Sequence, residues 1–410
     1  MLILAARLET ALWPPLLQYV HATRRMNTRP PDLPMNHPIL AIALAALFLT
    51  PSSVHPAPAK SPPKDVSSVL TPILQKHNVP GIAAAVVRNG EPVAVGVAGV
   101  RTRGKGDKIA TDDRFHIGSD TKAMTAMLCG ILVDEGKLKW SQTLGETFPE
   151  LRNSMHPQYQ TVTMEQLLTN RGGAPHEFPD ELWRKFREHN GTPRSARRLL
   201  LQGVTSKPPE ATPGEKYIYS NAGFSIAGHM AENVTGKSWE DLMREKVFRP
   251  LGMSTAGFGS PGTRATKDQP RGHRRDGSPV EPGRDADNPV AIGPAGIVHC
   301  SIEDWAKFVA ANLPSAKTRL VKPETLEKLH APVPDPGDRS YAMGWTVVGD
   351  QPWAGGPALT HAGSNTMWFA VAWLAPAKDF AVVVACNQAV QAACNDAAVA
   401  LIADHFRGER

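Results

Sequence analysis

Ser119 and Lys122 stand three residues apart, in a Ser-x-x-Lys pattern, where helical apolar spacing begins. Residues three apart share one face of a helix, so a lysine amine there reaches the serine hydroxyl. A serine hydroxyl is a weak nucleophile until a neighbouring base takes its proton. A lysine serves as that base when desolvation and the positive end of a helix dipole lower its pKa. The chemistry implied is acyl transfer through a serine ester. Ser61-Pro62-Pro63-Lys64 has the same spacing, but in a proline-bound segment that cannot form a helix.

Two further groups could complete such a site. Tyr219-Ser220-Asn221 follows Pro213-Gly214 and precedes a helix expected from Phe224. A tyrosine can shuttle protons, and an asparagine amide can hold a substrate carbonyl and contact the lysine. Asn221 could equally be no more than the cap of that helix. His361-Ala362-Gly363-Ser364 lies before the penultimate expected strand. Gly363 would let a substrate backbone approach the strand edge, and the Ser364 N–H could join that of Ser119 as an oxyanion hole.

These residues need elements to carry them. Apolar spacing predicts helices over residues 66–76, 119–135 and 389–406, the second closed by Gly136. Strands are expected at 82–88 and 92–100, joined by Asn89-Gly90, and at 344–348, 367–374 and 380–386. Between about 140 and 290, short helical runs at 164–169, 195–202, 224–233 and 238–248 alternate with loops. Residues 257–289 read as an irregular excursion. Strands at both ends and helices between imply an α+β fold: an antiparallel sheet flanked by helices, with an inserted, mostly helical lobe. The hydrolase domain is expected at 66–410, its α/β part from 66–140 and 290–410 and its lobe from 140–290.

Composition narrows the class. Of 410 residues, 41% are apolar and 20% charged, with a net charge of +6, which excludes a polytopic membrane protein, a collagen-like repeat and a wholly disordered chain. Arg264, Arg271, Arg274 and Arg275 alternate with acids and lack interleaved aromatics, so no nucleic-acid partner is expected. Eleven of the 37 prolines fall between Pro14 and Pro63. They surround an apolar run at 39–49, too short for a membrane span of about 20 residues but suited to a signal peptide cleaved near Ala57-Pro58-Ala59. Residues 1–59 are therefore expected to be a leader, with translation starting at Met26 or Met35, and 60–65 a linker. The mature chain would be exported, periplasmic or secreted, without a stable membrane span.

Several signatures fail. Gly236-Lys237-Ser238 lacks the glycine a phosphate loop needs at position 231, and His176-Glu177 meets Asp180 where a zinc protease has its second histidine. Gly223–Ala227 mimics a nucleophile elbow without a preceding strand. Asp285 and Asp287 read as solvated loop acids. The four cysteines form no CxxC pair; an oxidising compartment would permit a disulfide between Cys386 and Cys394, the one couple close in sequence, but small buried apolar residues are the favoured reading. No metal and no cofactor is expected.

Taken together, Ser119-x-x-Lys122, Tyr219-Ser220-Asn221 and His361-x-Gly363 resemble the serine β-lactamase and penicillin-binding superfamily, in its class C β-lactamase, D,D-carboxypeptidase and esterase-like branch. Phe115–Ser119, 163–169, 293–301 with Asp304, and Tyr341–Trp345 add to the resemblance. It implies that Ser119 is the acylated nucleophile, Lys122 its base and Tyr219 the proton shuttle. It further implies that Asn221 holds the substrate's amide and that His361, standing where many members have lysine, brings a weaker, pH-dependent positive charge to the substrate; with Gly363 and Ser364 they form the substrate-binding set, for a small molecule or peptide. D-amino-acid peptides or amides, β-lactams and small esters all fit. The pairing of Tyr-Ser-Asn with His-x-Gly is more similar to D,D-carboxypeptidases and D-aminopeptidases than to efficient β-lactamases; a small-ester esterase of the same fold and a non-catalytic penicillin-binding-like module are the alternatives. Asn170-Arg171-Gly172-Gly173 departs from the family's His-Thr-Ser-Gly.

Overall fold

Runs of Val and Ala with hydrogen-bonding partners on both sides build the centre of the molecule. The computed structural model describes residues 61–265, 268–334 and 340–407. The expected leader at 1–59 lies outside them. Seven strands form one sheet: β1 (Lys64–Asp65), β2 (Gly81–Arg88), β3 (Glu91–Gly99), β4 (Thr346–Gln351), β5 (Gly356–Ser364), β6 (Phe369–Ala375) and β7 (Phe380–Cys386), in the order β1-β3-β2-β7-β6-β5-β4. All neighbours are antiparallel except β1, which runs parallel to β3. The β2–β3 turn has Asn89 at φ 52° and Gly90 at φ 71°, the left-handed pair that a two-residue hairpin requires.

Every residue of β6 and β7 is buried, because helices cover both faces. Ala83, Ala85, Val87, Ala381, Val383 and Ala385 enter the main core with Trp305 and Phe308 of the helix Ile302–Ala310. Their alternates Ile82, Ala84, Val86, Val382 and Val384 are equally buried and turn to the other face. The helices Ser67–His77 and Gln391–His405 pack against the sheet and each other.

Helix α1 (Thr121–Asp134) runs through the core with twelve of its fourteen residues buried. It packs on helix α2 (Asn221–Thr235), which belongs to the run of helices between Leu144 and Phe248. Two of these helices open on complete capping boxes, at Thr143 with Glu146 and at Thr163 with Gln166. A buried ion cluster ties them: Arg197, fully enclosed, pairs with Glu232 at 2.6 Å and Glu240 at 2.8 Å. Burial alone would raise the Glu232 carboxyl, but its bonds to His229 and Arg197 outweigh that and hold it at about 2.

The strand expectations missed β5. Its sequence GPALTHAGS has a glycine, a proline and small side chains and no β-branched alternation, so nothing marks it until β4 and β6 pair on either side.

Candidate active site

Ser119 sits in a tight turn, Gly118–Asp120, that leads into α1. It precedes the α-helix instead of occupying the helix's first turn, and it is half-buried. Lys122, second in α1, is wholly enclosed. Its Nζ lies 3.1 Å from Ser119 Oγ, 2.7 Å from Asn221 Oδ1 and 3.0 Å from the carbonyl oxygen of Ala295. The ring of Tyr219 stands over the same nitrogen, 4.6 Å from its centroid, and that of Phe224 at 5.7 Å. Residues from three distant parts of the chain thus meet at one amine.

Tyr219 and Asn221 are placed by their neighbours. Ser220 caps α2, its Oγ accepting from Gly223 N at 3.3 Å. The cap is Ser220 and not Asn221, so helix α2 starts three residues earlier than Phe224 and leaves the Asn221 side chain to Lys122. Asn170 accepts from Ser220 N at 3.0 Å through Oδ1 and from Ile218 N at 2.8 Å through its carbonyl. The unfamiliar segment Asn170–Gly173 therefore cradles the tyrosine loop. His176, dismissed with its metal motif, donates from Nδ1 to the Tyr219 carbonyl at 2.8 Å.

β5 brings in the third group. Gly118 has φ +52°, and a Cβ there would stand 2.3 Å from Ser364 N. A Cβ at Gly363 would stand 2.0 Å from the Ile117 carbonyl oxygen and 2.5 Å from Ser119 N. The glycine in β5 thus admits the Ser119 turn, where a substrate backbone had been expected. The close approach draws the Ser119 and Ser364 amides together. Ser364 Oγ donates to the Trp368 carbonyl at 2.7 Å and so is turned into the hairpin.

His361 is buried with both ring nitrogens engaged. Nδ1 donates to the Ala362 carbonyl at 2.9 Å, and Nε2 accepts from the Tyr341 hydroxyl at 3.2 Å. Burial, with Lys122 nearby, pushes its pKa down to about 3. The expected positive charge is therefore absent near neutrality. Tyr341 was not read as a site residue, although the motif Tyr341–Trp345 held the signal. Its ring also packs 5.4 Å from that of Tyr217.

A second omission lies behind the turn. Gly118 N donates to His116 Nδ1 at 3.0 Å, and His116 Nε2 meets Asp287 Oδ1 at 2.8 Å. Asp287 is therefore not the solvated loop acid expected from its surroundings. Among the described residues no group of three or more His, Cys, Asp or Glu is placed to hold a metal ion. The four cysteines are buried thiols, with Cys394 Sγ 3.1 Å from Cys386 Sγ. No helix among the described residues is long and apolar enough to cross a membrane.

A family model described as Beta-lactamase matches residues 66–405. An unguisins hydrolase of Aspergillus campestris is 28% identical over 341 residues, which cover 79% of this chain and 61% of that protein. Protein flp of Staphylococcus aureus is 24% identical over 329 residues, covering 79% and 63%. The chain spans about three-fifths of the length of these relatives. Two solved structures share the fold. An octameric penicillin-binding protein homologue from Pyrococcus abyssi has a TM-score of 0.68 at 24% identity, over 82% of this chain and 75% of that one. The D-alanine carboxypeptidase AmpC from Burkholderia cenocepacia has a TM-score of 0.66 at 22% identity, over 81% and 96%.

Proposed function

The chain belongs to the beta-lactamase family, and from that premise we propose that it cleaves amides or esters through an acyl-enzyme on Ser119. The family is one of serine hydrolases, and the fold is the β-lactamase/transpeptidase-like one, a mixed sheet flanked by helices. The observation that carries the reading is the enclosed amine of Lys122, 3.1 Å from Ser119 Oγ.

Three acceptors surround that amine, and they suit both of its protonation states. As an ammonium it donates to all three. As a neutral amine it keeps two N–H bonds, to Asn221 Oδ1 and the Ala295 carbonyl, and its lone pair faces the Ser119 hydroxyl. Lys122 then takes the serine proton as Oγ attacks the substrate carbonyl carbon. The Ser119 and Ser364 N–H groups stabilise the oxyanion. Tyr219, above the amine, passes the proton to the leaving nitrogen or oxygen, and Asn221 steadies the substrate amide. Water later cleaves the serine ester by the reverse route.

His361 refines the substrate. A neutral imidazole with both nitrogens occupied offers no cation to a carboxylate, which favours acyl donors uncharged on the leaving side. Peptide amides and small esters fit this better than peptides with a free terminal carboxylate, and small-ester hydrolysis is the second reading it supports. We further propose that residues 66–410 are the hydrolase domain, that the leader exports it to the periplasm or medium, and that it acts on small molecules or peptides without nucleic acid.

Intact-mass analysis tests the reading. The full chain, incubated with a β-lactam or a nitrophenyl ester, should gain one acyl group, and Ser119→Ala should gain none. A folded native chain that takes up no acyl group from any donor sinks it.

A further inference from the structure

We propose that His116 and Asp287 are positioning residues for the nucleophile, an imidazole strung between a loop carboxylate and the amide of the turn that carries Ser119. The inference rests on Ser119 being the nucleophile. Gly118 N donates to His116 Nδ1 at 3.0 Å, so that nitrogen carries the lone pair. The ring proton then sits on Nε2 and is donated to Asp287 Oδ1 at 2.8 Å. His116 is fully buried and the Asp287 side chain is 8% exposed, so bulk water does not replace either bond.

The peptide between Gly118 and Ser119 carries the Ser119 N–H. The Gly118 N–H belongs to the peptide before it, so a shift of the turn away from His116 is passed through Gly118 to the oxyanion donor and the hydroxyl. Misplacing a reacting group by about 1 Å costs on the order of 10² in rate.

Asp287 is itself braced. Its Oδ1 accepts from Asn288 N at 2.7 Å, and Asn288 Nδ2 donates to the Gly296 carbonyl at 2.8 Å. Gly296 follows Ala295, which holds Lys122. On the other side Asn365, next to Ser364, donates to the Ala286 carbonyl at 3.3 Å. The end of the 257–289 excursion thus bonds to the segments before the nucleophile, beyond the lysine's acceptor and beyond the second oxyanion donor. This is what a brace for the site requires, and a lid over a groove would need none of it.

Substitution separates the two bonds. An asparagine at 116 puts an acceptor oxygen where Nδ1 stands, and a glutamine reaches only the Nε2 position. In the full chain, His116→Gln, which loses the acceptor for Gly118 N, should slow Ser119 acylation by a saturating nitrophenyl ester about 10²-fold, with half-saturation moved less than about threefold; His116→Asn and Asp287→Ala, which keep that acceptor and lose only the bond at Asp287, should be slowed but stay within about tenfold of native. Nitrogen NMR of the native protein should show His116 protonated on Nε2 and bare on Nδ1. A folded His116→Gln that acylates at the native rate overturns the proposal. So does a His116→Asn as slow as His116→Gln, or a protonated Nδ1. A native chain that takes no acyl group overturns the hydrolase reading instead, and the nitrogen shifts still decide whether the relay exists.

Discussion

Gly363 in the sheet and Ser119 in the turn meet backbone to backbone, with 2.5 Å between the site of a Gly363 Cβ and Ser119 N. A methyl group there also strikes the Ile117 carbonyl oxygen, and backbone cannot give way as a flexible side chain can. Gly363→Ala should therefore push the turn off β5 and part the Ser119 and Ser364 amides. We expect ester turnover to fall about 10²-fold or more and stability by about 1–3 kcal/mol. Turnover and urea unfolding on one sample check this; native turnover in the variant refutes it.

Lys122 offers a cleaner separation of charge from basicity. Lys122→Arg keeps a cation but one that does not release its proton. Acylation of Ser119 should fall about 10²–10⁴-fold, as for loss of a general base, and so should that of Lys122→Met. The methionine variant also leaves Asn221 Oδ1 and the Ala295 carbonyl without this donor in a buried place, at about 1–3 kcal/mol. Stopped-flow acylation and thermal unfolding read the two effects. An arginine variant that acylates normally would remove Lys122 from the role of base.

The neutrality of His361 has two consequences. Paired substrates, one a peptide amide and one its free carboxylate, should favour the amide in kcat/KM, and His361→Lys should shift the ratio toward the carboxylate by about tenfold or more, the worth of one charge-assisted bond. An unchanged ratio means that His361 does not face the leaving side.

Acid stability is the other consequence. Burial lowers His299 and His330 to about 4 and His361 to about 3 from an ordinary 6.5. As pH falls below 6.5 the unfolded chain takes up protons that the folded one refuses, so these three residues lower stability progressively down to pH 3–4. Each unit of depression is worth about 1.4 kcal/mol. Replacing His330, whose Nε2 meets Asn312 Oδ1 at 3.1 Å, with glutamine should flatten the fall of the melting temperature between pH 6.5 and 4. An unaltered slope refutes the assignment.

What the sequence disclosed follows the range of the forces involved. Ser119 and Lys122 were legible because a spacing of three residues is a local fact, and the helix that begins just after Ser119 announced itself by its apolar spacing. The hairpin at Asn89-Gly90 was legible for the same reason. β5 was not, since its small residues acquire strand character only from β4 and β6. The start of α2 was placed three residues late and its cap one residue late, because Asn221 and Ser220 are both good caps and only the distant Lys122 shows that the Asn221 side chain is engaged elsewhere. His116 and Asp287 lie 171 residues apart, and a carboxylate in a charged loop looks solvated until His116, at the end of the short strand Arg114–His116, is in place.

Asp120, the residue after Ser119, is 2% exposed, and neither of its carboxyl oxygens has a hydrogen-bond partner among the described residues beyond its own amide. Burial pushes its pKa well above 3.8, and the nearby Lys122 offsets this only in part. A folded-state pKa raised above the unfolded one means that the folded chain holds its proton more tightly. The contribution is favourable below about pH 3.8 and is lost as pH rises through the folded value. At neutral and alkaline pH the carboxyl therefore costs stability, either as a buried charge or as a proton retained against its gradient. Asp120→Asn keeps the shape and removes that cost. Its melting temperature should exceed native by about 2 °C or more at pH 8, with the gain shrinking to nothing near pH 3.5. A variant that melts lower than native at pH 8 would show the carboxylate to be ionised and paired with Lys122, and the burial argument would fall.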